Sequence, residues 1–214
     1  MNPTDHLAER IARVRALGLD PTRVVIEPLA SHHDRAAFSC GEPSLDDYIK
    51  TKVTQDVKRQ LTRCFVLTPE AGNARVIGYY TLNAHTIGLE ELDEINRNKL
   101  RAYTVLPAVL VGRLAVDSRF QGAQMASLLM LGALRSCLEL SFQIGSMSVV
   151  VDVLDETVIG FYTKLGFTPI GSNPLRLHLP MGTVAKRFSK QAAALREKWG
   201  TPSNPFDVIT AERE

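Results

Sequence analysis

The sequence predicts an α+β protein built in α/β layers, and three observations support this. Apolar runs of strand length alternate with stretches of helical periodicity. Two pairs of strand-like runs are each joined by a short turn sequence containing glycine and asparagine, as in antiparallel hairpins. The run from Val109 to Val116 is almost entirely apolar, which is typical of a central strand covered on both faces. The 214 residues, 45% of them hydrophobic, are enough for one globular domain with terminal additions.

The first three elements follow from helical spacing, a strand-length apolar run and a capping pattern. Apolar residues at helical spacing over Asp5 to Leu17 predict an N-terminal helix. Arg23 to Leu29 predicts the first strand. Ser44 and Asp47 resemble a capping box, so we expect an amphipathic helix to begin there and to end near Gln60.

A hairpin, a polar excursion and the central strand come next. Cys64 to Leu67 and Val76 to Leu82 predict two antiparallel strands. Glu90 to Arg101 is polar and predicts a helical or irregular excursion. The central strand, Val109 to Val116, then leads through a turn at Gly122 into a long helix with an apolar stripe.

The last part of the fold repeats a strand, a helix and a hairpin. Ser148 to Val153 predicts a largely apolar strand. Asp155 is the expected N-cap of a helix that continues through Leu165, and Gly166 is its expected left-handed C-cap. Two closing strands complete the order: Phe167 to Ile170 and Leu175 to Leu179.

Composition divides the chain into three predicted parts. Residues 1–22 form an N-terminal helical extension, residues 23–184 form the globular domain, and residues 185–214 form a basic helix and a tail expected to be partly disordered. The net charge of +2 and the pI near 8.5 are too mild to indicate a nucleic-acid partner by themselves.

The cysteines and the N-terminus bear on the cellular compartment. Cys40, Cys64 and Cys137 are odd in number and widely separated, and they form no metal-binding pattern with the histidines. The N-terminus lacks signal-peptide character, and no uninterrupted apolar run approaches the length of a membrane span. We therefore expect a reduced, cytoplasmic protein without a metal and without membrane attachment.

Two segments indicate chemistry. The strand ending at Val116 runs through Gly122 into a helix, so unpaired backbone N–H groups and the positive end of a helix dipole meet at a point suited to a pyrophosphate. The second segment, residues 160–167, is a helix closed by glycine and carries Tyr162, a possible proton donor. Together these segments resemble the cofactor and catalytic motifs of the GNAT acyl-CoA N-acetyltransferases.

Further motifs narrow the resemblance to the acetyltransferase toxins of type II toxin-antitoxin modules. The resemblance covers roughly Val24 to Val184. Its motifs, in chain order, are residues 38–41, 45–48, 78–82, 112–117, 149–152, 161–167, 176–177 and 179–181.

This resemblance implies a fold, a reaction and partners. The fold would be the GNAT fold, a mixed and mostly antiparallel sheet with helices on both faces. The acyl donor would be acetyl-CoA, and the acceptor would be the α-amino group of an aminoacyl-tRNA, whose acetylation blocks translation. The implied partners are a small ribbon-helix-helix antitoxin and a second copy of the chain in a homodimer.

The resemblance also assigns residue roles. Tyr162 would be the general acid, although an aromatic residue on a helix can also be part of the core. The cofactor loop of the family follows the pattern Gln/Arg-x-x-Gly-x-Gly/Ala, and Gln124 stands at its middle glycine. A side chain there would crowd the phosphates or require a backbone angle that only glycine adopts without strain. The implied cofactor-binding residues are Leu114, Ala115, Val116, Gln121, Gly122, Ala123, Gln124, Met125 and Ala126; the first three can equally be plain strand core.

Charged residues indicate binding partners less strongly than the motifs above. Arg113 lies inside an apolar strand, so we expect it to be paired, either structurally or near the acceptor amine. Two basic groups either bind tRNA phosphates or form solvated surface: Lys50, Lys52, Lys58, Arg59 and Arg63, and Arg97, Lys99 and Arg101. The C-terminal Lys186, Arg187, Lys190, Arg196 and Lys198 would hold tRNA or the antitoxin, or be solvated.

Two other functions stay open on the sequence alone. The cofactor motif also permits an N-acetyltransferase for a small amine or a protein N-terminus. Gln124 permits a non-catalytic regulatory protein that keeps only the CoA site.

Overall fold

Seven strands form one sheet in the computed structural model, which describes residues 12–20 and 22–199. They are β1 (Val25–Pro28), β2 (Arg63–Thr68), β3 (Gly78–Gly88), β4 (Val105–Val116), β5 (Ser148–Asp152), β6 (Thr168–Pro169) and β7 (Arg176–Pro180). The strand order is β1-β2-β3-β4-β5-β7-β6. Strands β4 and β5 pair in parallel, while β1 with β2, β2 with β3, β5 with β7 and β6 with β7 pair antiparallel. The predicted α+β class with a mixed, mostly antiparallel sheet is confirmed.

Seven α-helices accompany the sheet in the described residues, besides a helical segment at residues 12–16. They are α1 (Pro43–Asp47), α2 (Val53–Lys58), α3 (Glu94–Lys99), α4 (Met125–Ile144), α5 (Ile159–Thr163), α6 (Met181–Arg187) and α7 (Ser189–Trp199). A π-helical turn, Tyr48–Lys52, joins α1 to α2. Short 3-10 turns lie at Leu89–Glu91, Ser118–Phe120 and Glu156–Val158.

The chain divides into two compact units, each made of two segments. The first unit holds the described residues up to Asn83 together with Gly112–Ala133, and the second holds Ala84–Val111 and the described residues from Leu134 onward. The first has a buried cluster of Phe38, Tyr48, Ile49, Val53, Cys64, Val66, Val76, Tyr79 and Ala115. The second has a cluster of Ile87, Leu92, Leu106, Ala108, Val150 and Ile170.

The predicted helix from Asp155 through Leu165 has its caps where expected but is shorter and not uniform. The side chain of Asp155 accepts a hydrogen bond from the N–H of Thr157 and caps the 3-10 turn Glu156–Val158, and the α-helix that follows covers only Ile159–Thr163. Gly166 has φ +90° at the end of α5, the left-handed angle predicted for its C-cap. The predicted central strand is confirmed and is longer than expected, because β4 begins at Val105.

The predicted helix from Ser44 to Gln60 needed correction at its start and in its middle. Its N-cap is Glu42, whose carboxylate accepts from the N–H of Ser44, and Pro43 occupies the first turn. The helix is also not continuous, because the π-helical turn separates α1 from α2. The C-terminal basic helix, predicted from Ala185, is likewise two helices, α6 and α7.

Predictions for the chain ends are tested only in part. The N-terminal helix is present at residues 12–16, and its predicted remainder at residues 5–11 lies outside the described residues. The predicted tail from residue 200 also lies outside them. The predicted domain boundaries at residues 22 and 184 stay predictions.

Helix α4 is, among the described residues, the one helix long and apolar enough to cross a membrane, with 20 residues and a mean hydropathy of 1.4. The sequence predicted no apolar run of that length, although Met125–Ile144 is apolar apart from a few polar residues that include Arg135 and Glu139. Several of its side chains are nevertheless fully buried in the protein, as in a core helix: Leu129, Met130, Ala133, Leu134 and Cys137. Length and composition alone are therefore weak support for a membrane span here.

Candidate active site

The turn between β4 and α4, residues 117–124 and here called the β4–α4 turn, is anchored by a buried carboxylate. Asp117 is 1% exposed, and its oxygens accept from the N–H of Ser39 at 3.1 Å and from the N–H of Arg119 at 3.0 Å. The Arg119 guanidinium adds two bonds to Asp117, of 2.7 and 2.9 Å. Burial alone would raise the pKa of this carboxyl, but the hydrogen bonds from Arg119 and Ser39 outweigh burial and lower the pKa.

Gln121 uses its side chain to hold the same turn. Its amide nitrogen donates to the carbonyl of Cys40 at 2.8 Å and to the carbonyl of Val116 at 3.0 Å. Gln121 was predicted as a cofactor-binding residue. In the structure its side-chain nitrogen joins the turn to the end of β4 and to the loop before α1, which is a scaffolding contact.

Two residues of the turn have left-handed backbone angles. Gly122 has φ +76°, and Gln124 has φ +62°. A non-glycine residue with such an angle costs roughly 1–2 kcal/mol. The expectation that this position requires an angle natural to glycine is confirmed, because Gln124 adopts that angle despite its side chain. That side chain is exposed to solvent.

Helix α4 begins directly after Gln124. The N–H of Leu128 donates to the carbonyl of Gln124 at 3.1 Å, so the N–H groups that precede Leu128 in the first turn have no acceptor within the helix. Ala123 and Met125 are buried and fix the start of the helix, while Ala126 is half-buried. The positive end of the α4 dipole and these free N–H groups together form a site suited to an anion.

The strand residues ahead of the turn have the exposure of a half-covered strand. Leu114 is half-buried, whereas Ala115 and Val116 are buried. The pairing of β4 with β5 runs from Ala108 to Val111, so these three residues lie beyond it. Gly78 approaches them closely, because a Cβ there would lie 2.7 Å from the carbonyl oxygen of Ala115.

Tyr162 lies in α5, in the second unit, and apolar rings surround it. Its ring makes edge contacts with Phe161 and Phe167, at centroid distances of 5.0 and 5.6 Å. The residue is half-buried, and desolvation raises the pKa of its hydroxyl to about 12. No other group in residues 12–20 and 22–199 hydrogen-bonds that hydroxyl. It therefore stays protonated near neutral pH and is free to donate to a ligand.

Sequence comparison gives the family. No model of a known protein family matches the chain. It is 33% identical over 168 residues to a probable toxin TacT of Sinorhizobium fredii, across 75% of this chain and 92% of that protein. It is 32% identical over 148 residues to a tRNA-acetylating toxin of Mycobacterium tuberculosis, across 69% of this chain and 86% of that protein. The chain belongs to the GNAT-type tRNA-acetylating toxins.

Solved structures of such toxins have the same fold. A tyrosine-to-phenylalanine mutant of KacT has a TM-score of 0.73 and 27% identity, over 78% of this chain and 99% of that chain. AtaT complexed with acetyl-methionyl-tRNAfMet has a TM-score of 0.72 and 28% identity, over 77% and 99%. AtaTR bound with AcCoA has a TM-score of 0.65 and 28% identity, over 78% and 99%.

For this member of the tRNA-acetylating toxins, the sequence analysis missed two residues that hold the β4–α4 turn. Asp117 has the central role described above, and Arg13 donates from its guanidinium to the carbonyl of Gly122 at 2.9 Å. Two sequence signals existed for Asp117, its position directly after an apolar strand and its place at the end of the motif 112–117, but neither indicated its role. No sequence signal pointed to Arg13, which lies 109 residues before its partner.

The basic residues predicted to contact tRNA are on the surface. Both predicted groups, from Lys50 to Arg63 and from Arg97 to Arg101, are exposed. Lys52 forms an ion pair with Asp47 at 2.6 Å. In the C-terminal group, Arg187 donates to the carbonyl of Leu165 at 2.9 Å, so this residue has a structural contact. Exposure is compatible with both readings of these residues, and their tRNA role stays a prediction.

The three cysteines are unsuited to nucleophilic catalysis. Cys40, Cys64 and Cys137 are free thiols, and burial raises their pKa values to about 11, 12 and 12, so they are poor nucleophiles.

One histidine cluster departs from the expectation that no metal-binding pattern exists. Glu27, His32 and His33 bring their ligand atoms within 4.8 Å of one another. Nδ1 of His33 accepts from the N–H of Ala30 at 2.9 Å, and its Nε2 lies 3.0 Å from Glu27. Both ring nitrogens of His33 thus have protein partners, and this cluster is a hydrogen-bonded structure.

A separate cavity of about 630 Å³ lies within the second unit. Its lining includes Glu90, Asp93, Ser148, His178 and Lys186. His178 contacts the hydroxyl of Ser148 at 3.1 Å. None of the residues predicted to bind the cofactor or to act as the acid lines this cavity.

Proposed function

We propose that this protein transfers the acetyl group of acetyl-CoA to the α-amino group of an aminoacyl-tRNA and thereby blocks translation. The observation that carries the proposal is the similarity over 69–75% of the chain to toxins of this activity, combined with a β4–α4 turn that keeps its left-handed angle at Gln124. AtaT, a structural neighbour, was solved with acetyl-methionyl-tRNAfMet.

The β4–α4 turn fits the pyrophosphate of CoA. It offers free N–H groups at the start of a 20-residue helix, and its buried carboxylate is neutralised by Arg119. The exposed side chain of Gln124 is compatible with a ligand that approaches backbone atoms. In this proposal residues 121–126 hold the pyrophosphate, and Leu114, Ala115 and Val116 hold the pantetheine arm through backbone groups.

Acetyl-CoA supplies the acetyl group as a thioester. An α-amine has a pKa of about 8, so an appreciable fraction of it is unprotonated in the cell. A lysine amine, with a pKa of about 10.4, is almost wholly protonated. The acceptor therefore needs little help from a strong base. As the new N–C bond forms and the C–S bond breaks, the hydroxyl of Tyr162 gives its proton to the leaving sulfur. The amine nitrogen loses one proton to solvent, and Tyr162 regains one from solvent, so the enzyme ends each turnover in its starting protonation state.

Tyr162 has the properties that this role requires. Its pKa of about 12 keeps it protonated, and its hydroxyl is free of protein partners among the described residues. Structures of both KacT and AtaT were determined as tyrosine-to-phenylalanine mutants, which supports a functional tyrosine in the family.

The test is transfer of label from acetyl-CoA to a pool of charged tRNAs. The expected result is label on the aminoacyl group, released by hydrolysis of the ester, and none on deacylated tRNA. A matched reaction offers free amino acids, polyamines and peptide N-termini. Label on these amines alone would instead support an N-acetyltransferase for small amines or protein N-termini.

Gln124 favours a second candidate, a non-catalytic protein that has lost effective cofactor binding. Its strained angle and its exposed side chain at the mouth of the turn motivate this candidate. Calorimetric titration with acetyl-CoA separates the two, because tight binding argues against a disabled site.

The proposal includes partners and a compartment. AtaT was solved bound to the C-terminus of the antitoxin AtaR, and we propose a ribbon-helix-helix antitoxin for this chain. We further propose a homodimer in the cytoplasm, where charged tRNA occurs. Light scattering of the purified protein with and without the product of a neighbouring small gene tests both assemblies.

A further inference from the structure

Arg113 is a half-buried arginine in β4 whose partner is an aromatic ring. The guanidinium carbon lies 3.5 Å from the centre of the Tyr48 ring. Within residues 12–20 and 22–199, no carboxylate comes within ion-pair distance of Arg113, and the N–H groups of its guanidinium have no hydrogen-bond acceptor. The sequence predicted that Arg113 would be paired, and among the described residues its partner is the face of the Tyr48 ring.

Two other arginines are held by carboxylates, whereas Arg75 also stacks on a ring, that of Phe120, at 4.6 Å. Arg119 is bound twice by Asp117, and Arg176 pairs with both Asp152 and Glu91. Stacking occupies only the flat face of a guanidinium, and its N–H donors point outward in the plane. Arg113 thus keeps its charge and its fork of donors for a group outside the described chain. A phosphate matches such a fork with two parallel hydrogen bonds.

Tyr48 is a rigid platform for this arrangement. It is 2% exposed and belongs to the buried cluster of the first unit. It also opens the π-helical turn, a feature that is frequent at functional sites. Its hydroxyl is buried and has no hydrogen-bond partner among the described residues, and its ring packs in the apolar cluster.

Arg113 is also close to the proposed thioester strand. It directly precedes Leu114, and residues two apart on a strand share a face and lie about 7 Å apart. Arg113 and Ala115 therefore share one face of β4. A substrate whose amine reaches the strand at Leu114 and Ala115 would bring its nearest phosphate toward Arg113.

We propose that Arg113, held flat on Tyr48, binds a phosphate of the tRNA acceptor strand and so positions the aminoacyl end. This proposal rests on the function proposed above. It makes Arg113 a determinant of specificity, because an amine without a nearby phosphate gains nothing from this contact.

Steady-state kinetics of R113Q and R113K test the proposal. With charged tRNA, R113Q should raise KM about tenfold with little change in kcat, because a charge-assisted phosphate contact is lost. R113K should give a smaller rise, since it keeps the charge but loses the fork and the stacking. With an aminoacyl-adenosine that lacks phosphate, KM should be unchanged. R135Q, which removes an exposed arginine of α4, is the charge control and should match the wild type.

A binding measurement keeps the proposal testable if no acetylation occurs. The probe is a fluorescent RNA hairpin that copies a tRNA acceptor stem with its single-stranded 3′ end. The dependence of log Kd on log salt should become shallower by about 0.7 in R113Q, the value for one phosphate contact to a single strand. An unchanged slope overturns the proposal.

The outcomes separate this proposal from the proposed function. Equal losses on charged tRNA and on aminoacyl-adenosine would reject a phosphate contact, while the acetyltransferase activity would stand. No acetylation by the wild type, together with a shallower salt slope in R113Q, would reject the reaction and retain the RNA contact. Thermal unfolding of each variant checks its fold, and Y48L, which removes the ring but keeps the charge, should give an intermediate rise in KM.

Discussion

The β4–α4 turn and the helix that carries Tyr162 are stabilised in opposite ways. Polar contacts hold the turn, from the Asp117 carboxylate to the Gln121 amide and the Arg13 guanidinium. Aromatic rings pack around Tyr162, and its hydroxyl has no partner among the described residues.

This difference follows from what each region is proposed to do. Backbone N–H groups bind an anion only if their directions are fixed, and hydrogen bonds fix direction. A proton donor must be protonated at the working pH and must have a free hydroxyl, and apolar rings around Tyr162 provide both. If the two regions are separable in this way, changes in the turn should alter affinity and stability, and changes at Tyr162 should alter turnover.

The largest expected effect is that of Y162F on turnover. Loss of the general acid should lower kcat by about 100-fold or more, with the Kd for acetyl-CoA unchanged. Rapid-quench assays with saturating substrates measure the first quantity and calorimetry measures the second. An equal loss in both would mean that the tyrosine belongs to the binding region, and the contrast between the regions would fail.

D117N should act on the turn with an intermediate effect. An amide cannot accept from all the donors that surround Asp117, so we expect the free energy of unfolding to fall by about 2 kcal/mol. The Kd for acetyl-CoA should rise about tenfold, while kcat at saturation stays close to the wild-type value. Chemical denaturation and calorimetry measure these changes.

The same variant gives a pH test. The folded pKa of Asp117 lies below its ordinary value of 3.8, so its contribution is fully present above about pH 4 and is lost as the pH falls through the folded pKa. The stability difference between the wild type and D117N should therefore shrink in acid. A difference that stayed constant down to pH 2 would exclude the charge of Asp117 as the cause.

Q124G should have the smallest effect of these variants. The chain also offers a closely matched control for it, Q60G. Glycine relieves the left-handed strain but adds flexibility to the unfolded chain, so the expected gain in stability is about 1 kcal/mol or less. Gln60 also has a left-handed angle, φ +59°, at the end of α2. Q60G should raise the melting temperature similarly without changing the Kd for acetyl-CoA, whereas Q124G should tighten binding a few-fold. Equal Kd values for both variants would show that Gln124 does not obstruct the cofactor.

The sequence predicted the parts of this molecule whose signals are local. The caps at Gly166 and Asp155 were predicted correctly because each residue forms a hydrogen bond with backbone or side-chain groups of its own turn. The glycine-like angle at Gln124 was foreseen because the motif demands it, whereas the exposure of this residue was not.

The remainder depended on contacts between distant parts of the chain. Asp117 binds Ser39, 78 residues away, and Gln121 binds Cys40, 81 residues away, so no local pattern could reveal either pair. The π-helical turn at Tyr48 was missed for a similar reason. Its sequence is that of an ordinary amphipathic helix, and the wider turn begins at Tyr48, whose ring is buried in the apolar cluster.

The bond from Arg13 to Gly122 has a practical consequence for work on this protein. The predicted N-terminal extension looks dispensable beside the globular domain, yet its helical segment touches the proposed phosphate site. Trimming the chain at residue 22, or changing the partners of Arg13 by fusing a tag upstream, would disturb donor-substrate affinity without altering any family motif. Assays of this protein are therefore best made with the segment that carries Arg13 retained.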